Sequence, residues 1–361
     1  MGLRFLIIFL AFAVSVSGET GETLETIRRQ FEIYQRHSGE LEILSTENLK
    51  EIDNVLKRTE TKRLIVRKAL DQKQTAAIPK KDVSSPLFVG NDAVPFRHYA
   101  AVERAFAKQS LRRGKPDDAM QAIQYTYRLA DVLSESGSLE LRTVAAMIRL
   151  QMLEVVQSLL LDPLCRKEHH QLLHTLFEGQ INGATDQTIW ARYREEGKHF
   201  FEATARNGIE KTVSPNLLQT LQERHALDEY EKAPVERFAH DQSVFLQVMS
   251  AVIESCESPF YQRQSILRHL NNELRERQGT ATEPVFALLL LRDVSESMRL
   301  FAQEQVGNEM VYLALSASLN GPPRRNTMNF LTGDQYEFPL ITDGIMCTYK
   351  GNIKPFYVPY R

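Results

Sequence analysis

Imidazole and carboxylate side chains concentrate in one short stretch, Glu168-His169-His170-Gln171-Leu172-Leu173-His174. His170 and His174 stand four residues apart, so a helix puts both rings on one face. That is the spacing by which H-E-x-x-H helices offer two nitrogens to one zinc ion, with the glutamate taking a proton from the bound water. Here Gln171 occupies the glutamate's place, and an amide cannot take that proton, which excludes a metalloprotease helix. A zinc site would have to recruit Glu168, or His199 from a later segment. The competing reading is structural: Leu173 and Phe177 share the stripe, so the histidines are expected to flank an apolar seam.

A second concentration, His225, Asp228, His240 and Asp241, has the groups for an acid–base pair. Helical spacing spreads them over different faces, and on charged helices such residues normally stand in water. No G-x-S-x-G elbow occurs for a serine nucleophile. Cys256 sits in Glu254-Ser255-Cys256-Glu257, where close carboxylates would raise the thiol pKa, the wrong direction for a nucleophile. Neither G-x-G-x-x-G nor a P-loop is present, so neither a nucleotide nor any other cofactor is implied. Basic pairs recur at Lys57-Arg58, Lys62-Arg63 and Arg67-Lys68, a stripe that could meet a polyanion such as a cell-surface glycan. Interleaved Glu51, Asp53, Glu60 and Asp71 make it read as a solvated helical face.

The elements that would position these groups follow from composition and period. The chain has 361 residues, 44 Lys and Arg against 46 Asp and Glu, and 43% hydrophobic residues. Charge so balanced argues against nucleic acid as a partner. Residues 1–18 have the form of a signal peptide: Arg4, an apolar run from Phe5 to Val14, and small residues at Val16-Ser17-Gly18 with cleavage expected after Gly18. The run is shorter than the roughly 20 residues a span needs, so a membrane enters only if the leader stays uncleaved. Export permits disulfides, and the three thiols Cys165, Cys256 and Cys347 leave one bridge as an option beside three buried free cysteines.

Residues 19–74 read as an N-terminal helical segment, with Leu24, Ile27, Phe31 and Tyr34 on one stripe and Leu49, Ile52 and Leu56 on another. Residues 75–97, rich in Pro and Gly and ending in Ala93-Val94-Pro95-Phe96, read as a linker or an extended strap. From 98 to 320 helices follow one another. Gly114-Lys115-Pro116-Asp117-Asp118 is a stop and restart, and Asp162-Pro163 ends a helix carrying Ala145, Ile148, Met152, Val155 and Leu159. Further helices are expected at 187–206, 216–231, 234–256, 260–278 and 283–318. In the final segment, 321–361, Tyr336, Phe338 and Leu340 alternate, Asp343-Gly344 supplies a turn, and Ile345, Cys347 and Tyr349 alternate back. Pro339 confines the first strand to an edge, and the aromatic tail 355–360 is apolar enough to dock.

Arg104-Ala105-Phe106, Gly114, Ala119-Met120, Leu129-Ala130, Leu133 and Leu141 to Ile148, together with Asn329-Phe330-Leu331-Thr332-Gly333, resemble secreted helical proteins of unknown function common in planctomycete bacteria. The resemblance covers roughly 98–180 and 326–350. It departs at Asn329 and Phe330, where those proteins have Asp-Pro, and at Gln335. It implies export and a helical body with a closing hairpin, and carries no catalytic residue.

The fold expected is mainly α, an irregular multi-helix bundle or array with a small C-terminal β-hairpin. The function expected is binding or assembly in the cell envelope, with a protein partner engaged through residues 79–96 or the tail 356–360. The rival is an envelope hydrolase, whose site requires two or more of Glu168, His170, His174, His199, His225 and His240 to converge in one pocket.

Overall fold

A computed structural model describes residues 46–71, 94–135, 138–181, 186–213, 215–223, 227–277, 283–321, 327–341, 343–349 and 354–360. The expected leader, the stripe at Leu24 to Tyr34 and most of the expected strap lie outside the described residues. The protein is mainly α with a small C-terminal antiparallel sheet. Its helices are α1 (Thr46–Asp71), α2 (Val94–Arg112), α3 (Pro116–Glu135), α4 (Leu139–Leu161), α5 (Lys167–Ile181), α6 (Gln187–Asn207), α7 (Ile209–Thr212), α8 (Pro215–Glu223), α9 (Asp228–Lys232), α10 (Pro234–Ser255), α11 (Phe260–Arg277), α12 (Val285–Leu291) and α13 (Val294–Asn320). The strands are β1 (Leu340–Ile341), β2 (Gly344–Cys347) and β3 (Phe356–Pro359), in the order β1-β2-β3.

Local chemistry explains the punctuation. Gly114 has φ +67°, and the Lys115 N–H reaches the Ser110 carbonyl at 2.9 Å, closing α2 with a left-handed residue. Pro116 then opens α3, with Asp117 and Asp118 in the first turn, where they complement the helix dipole. Three expected boundaries move. Helix α2 begins at Val94, so the last residues assigned to the strap are helical; Pro95 is tolerated because its missing N–H falls in the first turn. The stretch 283–318 is two helices, α12 and α13, separated at Arg292 and Asp293. The stretch 216–231 likewise divides into α8 and α9.

Helix α4 is the hub. Leu141, Val144, Ala145 and Ile148 join the core shared with α1, α2 and α3. Ala146 touches the aromatic core of α6, α10, α12 and α13. Met152, Val155, Val156, Leu159 and Leu160 belong to the core with α5, α13 and the sheet. Each fully buried aliphatic side chain contributes on the order of 1.5–3 kcal/mol. Packed on most of its circumference, this helix keeps only Gln151, Glu154, Ser158 and Leu161 exposed. By length and composition α4 is therefore long and apolar enough to cross a membrane, which no segment after the leader was expected to be, yet 61% of its most apolar window is buried inside the protein. Helix α1 packs on the body through Ile52, Leu56, Val66, Ala69 and Leu70.

The hairpin forms between Leu340 and Ile345, and its turn differs from expectation by one residue. Gly344 already lies in β2, opposite Ile341 on one side and Pro359 on the other. Its lack of a side chain is required there, because a Cβ would stand 2.5 Å from the Val358 carbonyl oxygen and 2.6 Å from the Tyr357 ring. The tail does more than dock, since it supplies β3. The outer edge of β3 is closed by Gln157 of α4, whose Nε2 donates to the Tyr357 carbonyl at 2.8 Å and whose Oε1 accepts the Tyr357 N–H at 2.9 Å. With Pro339 just before β1 on the other side, both edges of the sheet are blunted. Gly344→Ala is expected to destabilise the protein by about 1–3 kcal/mol, because backbone rather than a pliable side chain meets the added methyl. Urea unfolding monitored by circular dichroism measures it.

Candidate functional site

Helix α5 carries the histidines as expected but spends them separately. Leu173 and Phe177 are fully buried, and Phe177 meets Tyr127 edge-on at 5.2 Å, so the stripe is an apolar seam. His170 is buried within it. His174 is half-buried, with Nε2 2.9 Å from the Ser316 hydroxyl and its ring 4.8 Å from that of Tyr312. This pairs a serine with a histidine, but Ser316 lies inside α13, where the neighbouring backbone N–H groups serve the helix and offer no oxyanion hole. His169 is also buried. Its Nδ1 accepts the Arg166 N–H at 2.9 Å, which fixes the proton on Nε2, and that N–H donates to Asp117 at 2.8 Å. The bond holds Asp117 below the usual carboxylate range, assisted by Arg166. It ties the start of α3 to the start of α5.

The other expected site residues do not join this cluster. Glu168 and Gln171 are exposed. His199, on α6, is exposed and 3.7 Å from Glu202 of its own helix. His240 is half-buried on α10, Asp228 is exposed on α9, and His225 lies outside the described residues. Helices α6 and α10 pack on each other in one aromatic core, whereas α5 packs on α13 in another. Among the described residues no group of three or more His, Cys, Asp or Glu is placed to hold a metal ion.

Asp241 overturns the expectation of a solvated acid. It is fully buried, and its Oδ2 accepts from the Tyr230 hydroxyl at 2.8 Å and from the N–H groups of Phe286 and Ala287 at 2.7 and 3.2 Å. It therefore caps α12 from another helix. Burial raises its pKa, against the lowering pull of Tyr230 and the two N–H groups. Two residues of the basic stripe are likewise buried: Arg63 and Arg67 both reach Glu103, which is inaccessible to solvent. Arg67 binds it bidentately at 2.9 and 2.6 Å, Tyr99 donates to it at 2.8 Å, and both guanidinium groups lie over Phe106. Lys57, Arg58 and Lys68 remain exposed, as a solvated face requires.

The largest concentration of buried charge was not expected from the sequence. Glu304 of α13 stands between two arginines of α4, with Oε2 2.5 Å from Arg142 Nη1 and Oε1 2.5 Å from Arg149 Nη1. Arg142 Nε donates to Asp186 at 3.0 Å, and its guanidinium lies 4.3 Å above the Phe301 ring. Arg149 Nη2 donates to Asp131 of α3 at 2.6 Å, and Gln180 of α5 donates to the same oxygen at 3.0 Å. Burial alone would raise the pKa of Glu304, but Arg142 and Arg149 outweigh it and hold the carboxyl below its ordinary value of 4.5. Every polar atom of Glu304 is committed to protein, so this constellation holds elements together and presents no group to a substrate.

All three cysteines are free. Cys256 has a raised pKa, as expected, but for another reason: burial comes first, Asp186 adds to it, and Arg263, at 3.8 Å from the sulfur, opposes it. Glu254 and Glu257 are not the cause. Comparison with protein-family models, with curated proteins and with solved structures finds no match, so no residue's role comes from a relative. What the geometry defines is a helical protein in which Glu103 and Glu304 are paired with arginines and Asp241 is held by neutral donors.

Glu304→Gln is expected to cost about 3–5 kcal/mol, because it leaves two arginines buried with less countercharge. Glu296→Gln, which breaks the exposed pair with Arg299 on the same helix, is expected to cost at most about 1 kcal/mol. Denaturant titration of both variants tests the contrast. The depressed pKa of Glu304 also means that its stabilisation is present above pH 4.5 and is lost as pH falls through the folded value.

Proposed function

We propose that this protein is an exported binding or assembly component of the cell envelope and that it acts through a protein partner. The observation that carries the reading is the leader, in which Arg4, the run Phe5 to Val14 and the small residues to Gly18 follow the form of a cleaved signal peptide. The resemblance to secreted helical proteins supports it. So does the chemistry of the body, where the buried carboxylates serve as caps and ion pairs.

We place the contact at a turn apart from the segments first considered. The tail is folded in, with Phe356 and Val358 buried in the core and Tyr360 alone among its aromatics strongly exposed. Phe96 is buried, and residues 79–93 lie outside the described residues. Exposed leucines instead flank the turn between α4 and α5: Leu161 at 51%, Leu164 at 54% and Leu172 at 47% exposure. Three large aliphatic side chains close in sequence and held in water are the feature on which we rest this contact.

Export is tested by sequencing the N-terminus of the protein recovered from its native envelope. A mature chain beginning at Glu19 is expected, and a cytosolic chain retaining Met1 overturns the reading. For the contact, Leu161→Gln with Leu164→Gln is expected to weaken cross-linking to a discrete envelope protein by about tenfold while leaving the unfolding midpoint nearly unchanged. Undiminished cross-linking places the contact elsewhere and overturns the role of this turn.

A further inference from the structure

Carboxyls at the joints of this protein have two kinds of company. Glu103 and Glu304 meet arginines. Glu309, little more than one turn beyond Glu304 on α13, is half-buried and among the described residues meets only neutral donors. Its Oε2 accepts from the Tyr336 hydroxyl at 2.6 Å, and its Oε1 accepts from Gln305 Nε2 at 3.0 Å. Tyr336 belongs to the chain leading into the sheet. It is buried, and its ring meets that of Tyr349 at 6.2 Å. Glu309 is thus the polar fastening between α13 and the C-terminal segment.

Among the described residues, the surroundings supply no countercharge. From β2 the nearest titratable group is Cys347, buried, its thiol pushed up to about 12 by burial and then by the Glu309 charge. From β3 the core receives Phe356 and Val358. Helix α5 reaches α13 through His174, which is held by Ser316 and Tyr312. The α4 arginines facing α13, Arg142 and Arg149, are committed to Glu304. On α11, Arg263 is held by the Ser258 and Cys256 carbonyl oxygens, and α12 carries no charged residue.

We propose that Glu309 is a proton-operated latch on the C-terminal sheet: protonated, it lets Tyr336 and the sheet seat fully on α13; ionised, it puts an uncompensated charge into that joint and loosens the segment. The physical cause is the cost of holding a carboxylate away from water without a cation. Burial accordingly raises the pKa of Glu309 above its ordinary 4.5, while the bonds from Tyr336 and Gln305 pull it back. A carboxyl whose folded pKa is raised binds its proton more tightly in the folded state. Its contribution is therefore full below pH 4.5 and is lost as pH rises through the folded value, the opposite of Glu304.

Hydrogen–deuterium exchange of peptides covering 336–349 and 354–360, corrected for intrinsic exchange rates, tests the latch. In the whole protein, protection of these peptides should fall as pH rises from below 4.5 through the folded value, by about tenfold for each unit by which the folded pKa exceeds the ordinary one. Glu309→Gln keeps an acceptor for Tyr336 and should make protection independent of pH. Tyr336→Phe removes a bond that favours the charged form and should move the fall to higher pH, a shift that mere loss of packing would not produce. Unchanged wild-type protection, or an equal fall in Glu309→Gln, overturns the proposal.

Discussion

A carboxylate removed from water is tolerable only if something charged or strongly polar stands against it, and the body of this protein is arranged around one such group. Glu304 lies between Arg142 and Arg149, so α4 and α13 have one register in which the charges cancel. Any slip of a turn would leave two guanidinium groups buried without their partner, at a cost of several kcal/mol. Asp131 and Asp186 extend the arrangement to α3 and to the start of α6, and Gln180 extends it to α5. Apolar packing supplies most of the stability, but an apolar seam alone slides easily. The ion pairs specify which seam forms.

The same constraint is met differently elsewhere. Glu103 uses arginines to hold α1 against α2, and Asp241 uses backbone N–H groups and a tyrosine to seat α12. His169 uses its neutral tautomer to join α3 to α5. Glu309 also has neutral donors, Tyr336 and Gln305, and it lies where the C-terminal sheet meets the helices. Glu304 and Glu309 therefore respond to acid in opposite senses, the first weakening and the second tightening.

The periodic apolar faces made most of the architecture legible in the sequence. Met120, Ile123, Tyr127 and Ala130 are all buried, as are Ala145, Ile148, Met152, Val155 and Leu159. The stop and restart at Gly114 and Pro116 was legible because each residue there has one conformational use. The charged core was misread because composition places Asp, Glu and Arg outside by default. A signal was nevertheless present. Asp241 interrupts the stripe of Phe238 and Phe245, Glu304 stands between Phe301 and Asn308 on a buried face, and Arg149 follows Ile148 in the middle of α4. A charge inside an apolar stripe marks a partner elsewhere, but one sequence does not say which. The histidines were legible as flanking an apolar seam, because metal spacing on one helix says nothing of where a third ligand would come from, whereas Leu173 and Phe177 share their stripe. The turn at Gly344 was displaced by one residue because the need for glycine arises from β3, which hydropathy alone presented as a docked tail.

The account stands or falls on whether Glu304 and its arginines act as one unit. A double-mutant cycle between Arg149→Met and Glu304→Gln, read by denaturant unfolding, measures that coupling directly. A coupling of about 2–3 kcal/mol is predicted, as for groups sharing one buried network. A coupling below about 0.5 kcal/mol, the level of an exposed pair, would contradict it.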